Sequence, residues 1–205
     1  MLRHNLFHAA LVLSFLLTAC SEPAKVEKTE AEKTPKPLTG RQAFQRVYPQ
    51  ARVWSPDAQP LHMRSIDLSQ VKPEKGKAGA WEVIFVSPSK GKSKSYTFSS
   101  VEAEGNLHEG VFAGPEESYS GPNGPSFPFS IAALKIDSNQ AYDIASEKSA
   151  DYIKKHPGMP ISFVLEQTNR FPDLTWRVIW GQSAAASDYS VFVDATLGKY
   201  LQKAH

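Results

Sequence analysis

Trp81-Glu82-Val83-Ile84-Phe85 and Trp176-Arg177-Val178-Ile179-Trp180 read alike. In each, alternation puts three large apolar side chains on one face of an extended segment, the mark of a half-buried strand. Outward from these strands the same signals recur. Upstream, Thr39-Gly40-Arg41-Gln42-Ala43-Phe44 matches Asp137-Ser138-Asn139-Gln140-Ala141-Tyr142: a capping oxygen, a Gln three residues on that closes a capping box, then small and aromatic core residues. The first helix is expected to stop at Pro49, and the second to run through Ile144, Ala145 and Tyr152 until His156-Pro157. Downstream, Tyr96-Thr97-Phe98 matches Tyr189-Ser190-Val191, after polar hairpin connections at 87–95 and 181–187. Nine residues beyond each tyrosine stands a glycine, Gly105 or Gly198, fit for a turn of positive φ, with Leu107 or Tyr200 following. Helix, strand, hairpin, strand and turn thus occur twice. The expected fold is α+β, in two similar halves, each a helix packed on a small antiparallel sheet.

The halves occupy residues 39–112 and 130–205. Between them, 113–129 carry Gly114-Pro115, Gly121-Pro122-Asn123-Gly124-Pro125 and Phe127-Pro128, breakers that exclude helix and interior strand. This stretch reads as a connecting loop, with Phe127 and Phe129 pinned onto one half or the junction. Its glycines lack the Lys-Ser/Thr and helix start that a phosphate-binding loop needs. Residues 20–38 read as a disordered tether. From Ser21 to Pro37 they are Lys, Glu, Thr, Ala and Pro with Val26 the only large apolar residue, too little to offset ordering entropy. Such a chain reaches about 25 Å on average. Residues 39–205 are enough to bury about 70% of their unfolded surface, while either half alone is marginal, so the halves are expected to pack into a common unit.

The N-terminal residues 1–19 have the anatomy of a secretory signal: Arg3 in a short n-region, an apolar run from Leu6 to Leu17, and small Ala19 before the cleavage point. The run is too short for a stable membrane span. Leu17-Thr18-Ala19-Cys20 resembles the lipobox of bacterial lipoproteins. That resemblance implies cleavage before Cys20 and acylation of that cysteine with palmitate-type chains, an anchor held by about 0.8 kcal/mol per buried methylene. Ser21 after the cysteine implies, in the enterobacterial version of the pattern, transfer to the outer membrane, facing the periplasm. Cys20 is the only cysteine, so its acylation removes disulfides, thiolate metal sites and thiol catalysis together. Cleavage removes Arg3 alone among the charged residues, turning 23 basic residues into 22 against 21 acidic, which is no nucleic-acid footprint.

Residues 130–205 resemble a PepSY-type domain, and 39–112 a more diverged second copy. The resemblance is carried by Gln140-Ala141-Tyr142 with Ala145, by Trp176-Arg177-Val178, and by the terminal turn Val193-Asp194-Ala195-Thr196-Leu197-Gly198-Lys199. In the first copy Val101-Glu102-Ala103-Glu104-Gly105 replaces the Asp-Ala-Thr portion. The family implies a helix on a small antiparallel sheet, an envelope location and a role in restraining peptidases or mediating protein contacts, with no catalytic residues to carry over.

Motifs for chemistry are scarce. His62, His108, His156 and His205 stand far apart, without metal-ligand spacing, so no metal or cofactor is expected. Asp137, Asp143, Glu147 and Asp151 share a helical segment and read as a solvated face rather than an acid/base pair. No Gly-x-Ser-x-Gly elbow or Ser-x-x-Lys arrangement supports a nucleophile, and the chain is not expected to be an enzyme. Lys90, Lys92 and Lys94 gather on one loop and Lys72, Lys75 and Lys77 on another, as solvated faces or as contacts to anionic lipid or envelope polymer. Trp81, Tyr96, Trp176, Trp180 and Tyr189, with Phe85, either fill the core or line a ligand cup. The expected function is binding of an envelope protein or peptide through sheet edges or grooves. The alternative is a carrier or sensor of a small apolar ligand held between helix and sheet.

Overall fold

Both capping boxes form and start helices. The computed structural model describes residues 35–205 other than Asn106, Asn123, Gln182 and His205; the leader, Cys20 and the tether to residue 34 lie outside the described residues. After a short strand β1 (Leu38–Thr39), the Thr39 hydroxyl accepts the Gln42 N–H while the Gln42 side chain accepts the Thr39 N–H, opening α1 (Gly40–Trp54). The chain continues through β2 (Gln59–Ile66), β3 (Lys77–Ala78), β4 (Ala80–Ser87), β5 (Lys92–Ser99), β6 (Gly110–Ser118) and β7 (Ser126–Phe127) to a 3-10 turn at Ile131–Ala133. Asp137 and Gln140 repeat the box at the start of α2 (Ser138–Lys148), followed by α3 (Ala150–Lys155). The last strands are β8 (Ile161–Thr168), β9 (Thr175–Gly181), β10 (Ser187–Asp194) and β11 (Tyr200–Ala204).

The architecture is α+β with an antiparallel sheet. Its strand order is β11-β10-β9-β8-β2-β4-β5-β6, with β7 attached to β8 and the pair β1-β3 standing apart. The chain builds outward from β2 to one edge, returns to the centre, and builds outward from β8 to the other. Alternation sends Met63, Trp81, Val83, Phe85, Tyr96, Phe163, Leu165, Trp176, Val178, Trp180, Val191 and Val193 to one face, where they join Ala43, Phe44 and Val47 of α1 and Ala141 and Ala145 of α2 in a single core. Phe129 is buried in that core, and its N–H donates to the Pro60 carbonyl, which pins the segment after β7 to β2. Gly105 and Gly198 take positive φ in their turns, also as expected.

At the centre the two helices meet by their N-termini. The Gly40 N–H donates to Ser138 Oγ at 2.8 Å, and the Arg41 N–H donates to Asp137 Oδ1 at 2.9 Å. One carboxylate therefore serves the first turn of its own helix and that of α1, where unpaired amides and the positive end of each dipole favour an anion. Each tryptophan is tied to the same place on its helix. Trp81 Nε1 donates to the Leu38 carbonyl at 2.9 Å and Trp176 Nε1 to the Ile136 carbonyl at 2.8 Å, in both cases the residue before the cap. The two indoles meet edge to face with centroids 6.2 Å apart. A Cβ at Gly40 would come within 2.6 Å of the Trp176 ring, so the close approach of helix to ring needs glycine there.

Several boundaries differ from the sequence expectation. α1 continues past Pro49 to Trp54: the proline forgoes the hydrogen bond to the Gln45 carbonyl, but both residues lie on the exposed face, where water can serve that carbonyl, and burial of Ala51 holds the next turn. The second helix breaks at buried Ser149, whose hydroxyl donates to the Tyr189 hydroxyl at 3.3 Å, and its second part ends before His156. Residues 113–118 belong to β6 rather than to a loop. Pro115 is tolerated because β6 is an edge strand with its register shifted opposite Ser95. The tether reading overruns by two residues, since Pro37 is buried and Leu38 pairs with Ala78. Tyr96 lies opposite Val83 but Tyr189 opposite Trp180, so the tyrosine match is off register; Phe98 opposite Trp81 corresponds to Val193 opposite Trp176. Asp137 is no part of a solvated face, because it caps two helices.

Replacing Asp137 by Ala removes the acceptor from both first turns and should cost about 1–3 kcal/mol in chemical denaturation, against less than about 0.5 kcal/mol for exposed Asp143→Ala. Trp81→Ala and Trp176→Ala should each cost about 3–5 kcal/mol, read from the same denaturation curves.

Candidate functional site

The ladder joining β2 to β8 runs for three pairs, His62–Glu166, Met63–Leu165 and Arg64–Val164, and stops. One step on, the Phe163 N–H donates to the Ser65 hydroxyl at 2.8 Å instead of to a strand carbonyl, and the strands part. On the helix side of the gap, residues 67–79 form a strap between β2 and β4, where the corresponding connection between β8 and β9 is only 169–174. The strap is held at three places. Leu68 and Val71 pack with Ala80 in a small second core, β3 pairs with β1, and the Gly76 carbonyl accepts Ser138 Oγ at 2.5 Å. Gly76 has φ +69° and lies so close to α2 that a Cβ would fall 2.1 Å from Asn139 Cα.

Beneath the strap is a cleft of about 500 Å³, within the size range of ligand sites. Buried Phe163, Ser65 and Ile161 line it from the sheet, Tyr142 from α2, and Met159 and Pro160 from the turn before β8. Lys72, Lys75, Lys77, Asp67 and Glu74 line it from the strap. Lys77 pairs with Glu74 at 2.6 Å, whereas Lys72 and Lys75 make no ion pair among the described residues. The arrangement offers an apolar wall, a strand whose facing side has run out of ladder partners, and uncommitted positive charge. In the sequence the three strap lysines stand out as a charge cluster, and the unequal lengths of 67–79 and 169–174 are the further signal that this connection differs.

The aromatic candidates lie elsewhere. Trp81, Trp176, Trp180, Tyr96 and Tyr189 are all buried. Trp81 packs on Phe163 and Trp176, Trp180 lies edge-on to Tyr189, Tyr189 stacks on Tyr152 with centroids 4.2 Å apart, and Tyr96 is edge-on to Phe85. The space between helix and sheet is therefore filled by these rings, which take the core-packing role of the two that the sequence left open. Tyr96 borders a shallow recess with Pro49, Gln50, Val53, Trp54, Lys94 and Ala113.

Lys90 sits in the β4-β5 turn, but Lys92 and Lys94 belong to β5 rather than to a loop. Lys90 lies over the Trp54 ring, Lys94 over the Tyr96 ring, and Glu116 and Glu117 of β6 stand opposite Lys94 and Ser93, so the positive charge is interleaved with carboxylates. The turn itself is held by Asp57, whose carboxylate accepts the Ser55 and Ser87 hydroxyls and the Ser89 N–H; these bonds keep it well below the usual carboxylate range. His108 is 2.7 Å from Glu102, and His156 stacks on Tyr152. No group of three or more metal-ligating side chains gathers among the described residues. Nor is any described helix long and apolar enough to cross a membrane. At the sheet edges, β6 carries Pro115, Glu116 and Glu117, while β11 exposes Tyr200 and Leu201 close to exposed Leu197. Compared with known proteins, the chain matches no family model, no curated protein and no solved structure.

His62 lies at the seam, opposite Ile84 on one side and Glu166 on the other. Its Nδ1 is buried without a hydrogen-bond partner. Burial pushes its pKa below the ordinary 6.5, Arg64 pushes the same way, and Glu166 and Glu82 oppose them. With the folded value lowered, the unfolded chain takes up the proton first as pH falls, so this contribution to stability is complete above about pH 6.5 and declines below it. Denaturation midpoints measured at about pH 7.5 and about pH 5 should differ less in His62→Gln than in the unaltered protein.

Proposed function

We propose that this chain is a lipid-anchored protein of the bacterial cell envelope, built from two PepSY-like copies, that binds an envelope protein or peptide without catalysis. The two-copy reading assigns 39–112 and 130–205 to the halves. It is supported by the order of elements, a capped helix followed by a four-strand meander in each, and by the two indoles that donate to the residue before each cap. The reading places Cys20, acylated, in the outer membrane, with the folded part facing the periplasm on its tether.

The observation that carries the binding reading is the cleft where β2 and β8 part beneath a strap that only the first half possesses. Similar halves need no such strap for stability, and an unlike connection between like elements is where function is built. Among the lining residues no hydroxyl is paired with a base: Ser65 Oγ is taken by the Phe163 N–H. Binding is favoured over the carriage of an apolar ligand between helix and sheet because aromatic rings fill that layer.

Two measurements test this. Cys20→Ala should release the protein into the soluble fraction, and a fully membrane-bound variant would defeat the anchor. A photo-crosslinking residue at Tyr142 should capture a discrete partner in intact envelopes. Capture only from Phe112 or Leu201 would move the contact to a sheet edge, and measurable turnover of a substrate would overturn the non-catalytic reading.

A further inference from the structure

Resting on the binding reading, we infer that the cleft takes an extended, acidic peptide segment that alternates carboxylate and apolar side chains. Its walls differ in chemistry. On the strap side Lys72 and Lys75 are exposed and unpaired among the described residues, Lys77 is committed to Glu74, and Asp67 is the remaining carboxylate of the lining. The uncommitted charge there is positive. The lysines are borne by a segment fixed at both ends, by Leu68 and Val71 in the second core and by Gly76 against Asn139, so their backbone positions are set before a partner arrives. A preset site loses less ordering entropy on binding.

The opposite wall is apolar, made by Tyr142, Met159, Pro160, Ile161 and Phe163. A partner that satisfies both walls carries charge on one side and apolar surface on the other, and an extended chain does this with a period of two. Extension also suits the backbone. Beyond Arg64–Val164, Ile161, whose peptide groups point the same way as those of Phe163, has no ladder partner on the side facing β2, leaving a backbone position to which an added segment could hydrogen-bond. A basic segment would meet Lys72 and Lys75 as like charges. A purely anionic polymer would leave the half-buried Met159 and Ile161 uncovered.

The test uses the purified protein and three end-blocked peptides of about eight residues, alternating Val with Glu, Gln or Lys, followed by fluorescence anisotropy. The Glu-Val peptide should bind tightest, weaken with added salt, and lose about tenfold in affinity in the double variant Lys72→Glu/Lys75→Glu, while the Lys-Val peptide gains in that variant. NMR shifts on Glu-Val binding should gather at Tyr142, Met159 and Ile161. Equal binding of all three peptides at those residues overturns the acidic class but leaves a binding cleft. Glu-Val affinity unchanged by the double variant, or shifts confined to β6 or β11, overturns the cleft as its site. If no peptide binds while Tyr142 still crosslinks a partner, this inference falls and the binding reading stands; if both experiments fail, both fall.

Discussion

The structure turns on one carboxylate placed between two helix N-termini. α1 and α2 point their positive ends at each other, an arrangement that by itself leaves two sets of amides unpaired and two like poles in contact. Asp137 accepts from its own helix and from Arg41, and Ser138 accepts from Gly40 while donating to Gly76. These two side chains bring together α1, α2 and the strap. The tryptophans complete the arrangement from below, each with its indole N–H on the carbonyl that precedes a cap. Glycine at 40 lets the ring of Trp176 approach.

From that centre the sheet's weak point follows. Two meanders are joined edge to edge by three residue pairs, a shorter ladder than any inside either meander. What holds the seam is the shared core, with Met63, Leu165, Phe163 and the paired indoles buried together beneath both helices. A long ladder would have closed the space in which the cleft lies. The seam is short enough to leave a cleft and buried enough to remain joined.

The distribution of charge separates the two lysine groups that looked equivalent in the sequence. Lys92 and Lys94 lie on a strand whose neighbour brings Glu116 and Glu117 opposite, and Lys90 and Lys94 place their ammonium groups over aromatic rings. Charge there is largely balanced. Among the described residues Lys72 and Lys75 make no ion pair and face no acidic strand, and Glu74 of the same strap is taken by Lys77. The β6 edge is guarded against further pairing by a proline, a shifted register and carboxylates, devices typical of edge strands.

By itself the sequence determined the local structure. The spacing Thr39 to Gln42 and Asp137 to Gln140 specified both helix starts, because a capping box closes within one turn and depends on nothing distant. The alternation after Trp81 and after Trp176 specified the strands and their buried face, since period two is a property of the extended backbone. Tertiary contacts decided the rest. Pro49 reads as a stop because it lacks an amide, but the buried turn beyond it outweighs that loss. Ser149 reads as helix interior, yet its bond to Tyr189 accompanies a break. The filled aromatic layer, the double duty of Asp137 and the parting of β2 from β8 all depend on residues far apart in the chain, whose meeting is set by packing geometry rather than by any local period. The strap lysines are visible in the sequence as charge; Tyr142, Met159 and Ile161 became the wall facing them only when β2 and β8 joined one sheet.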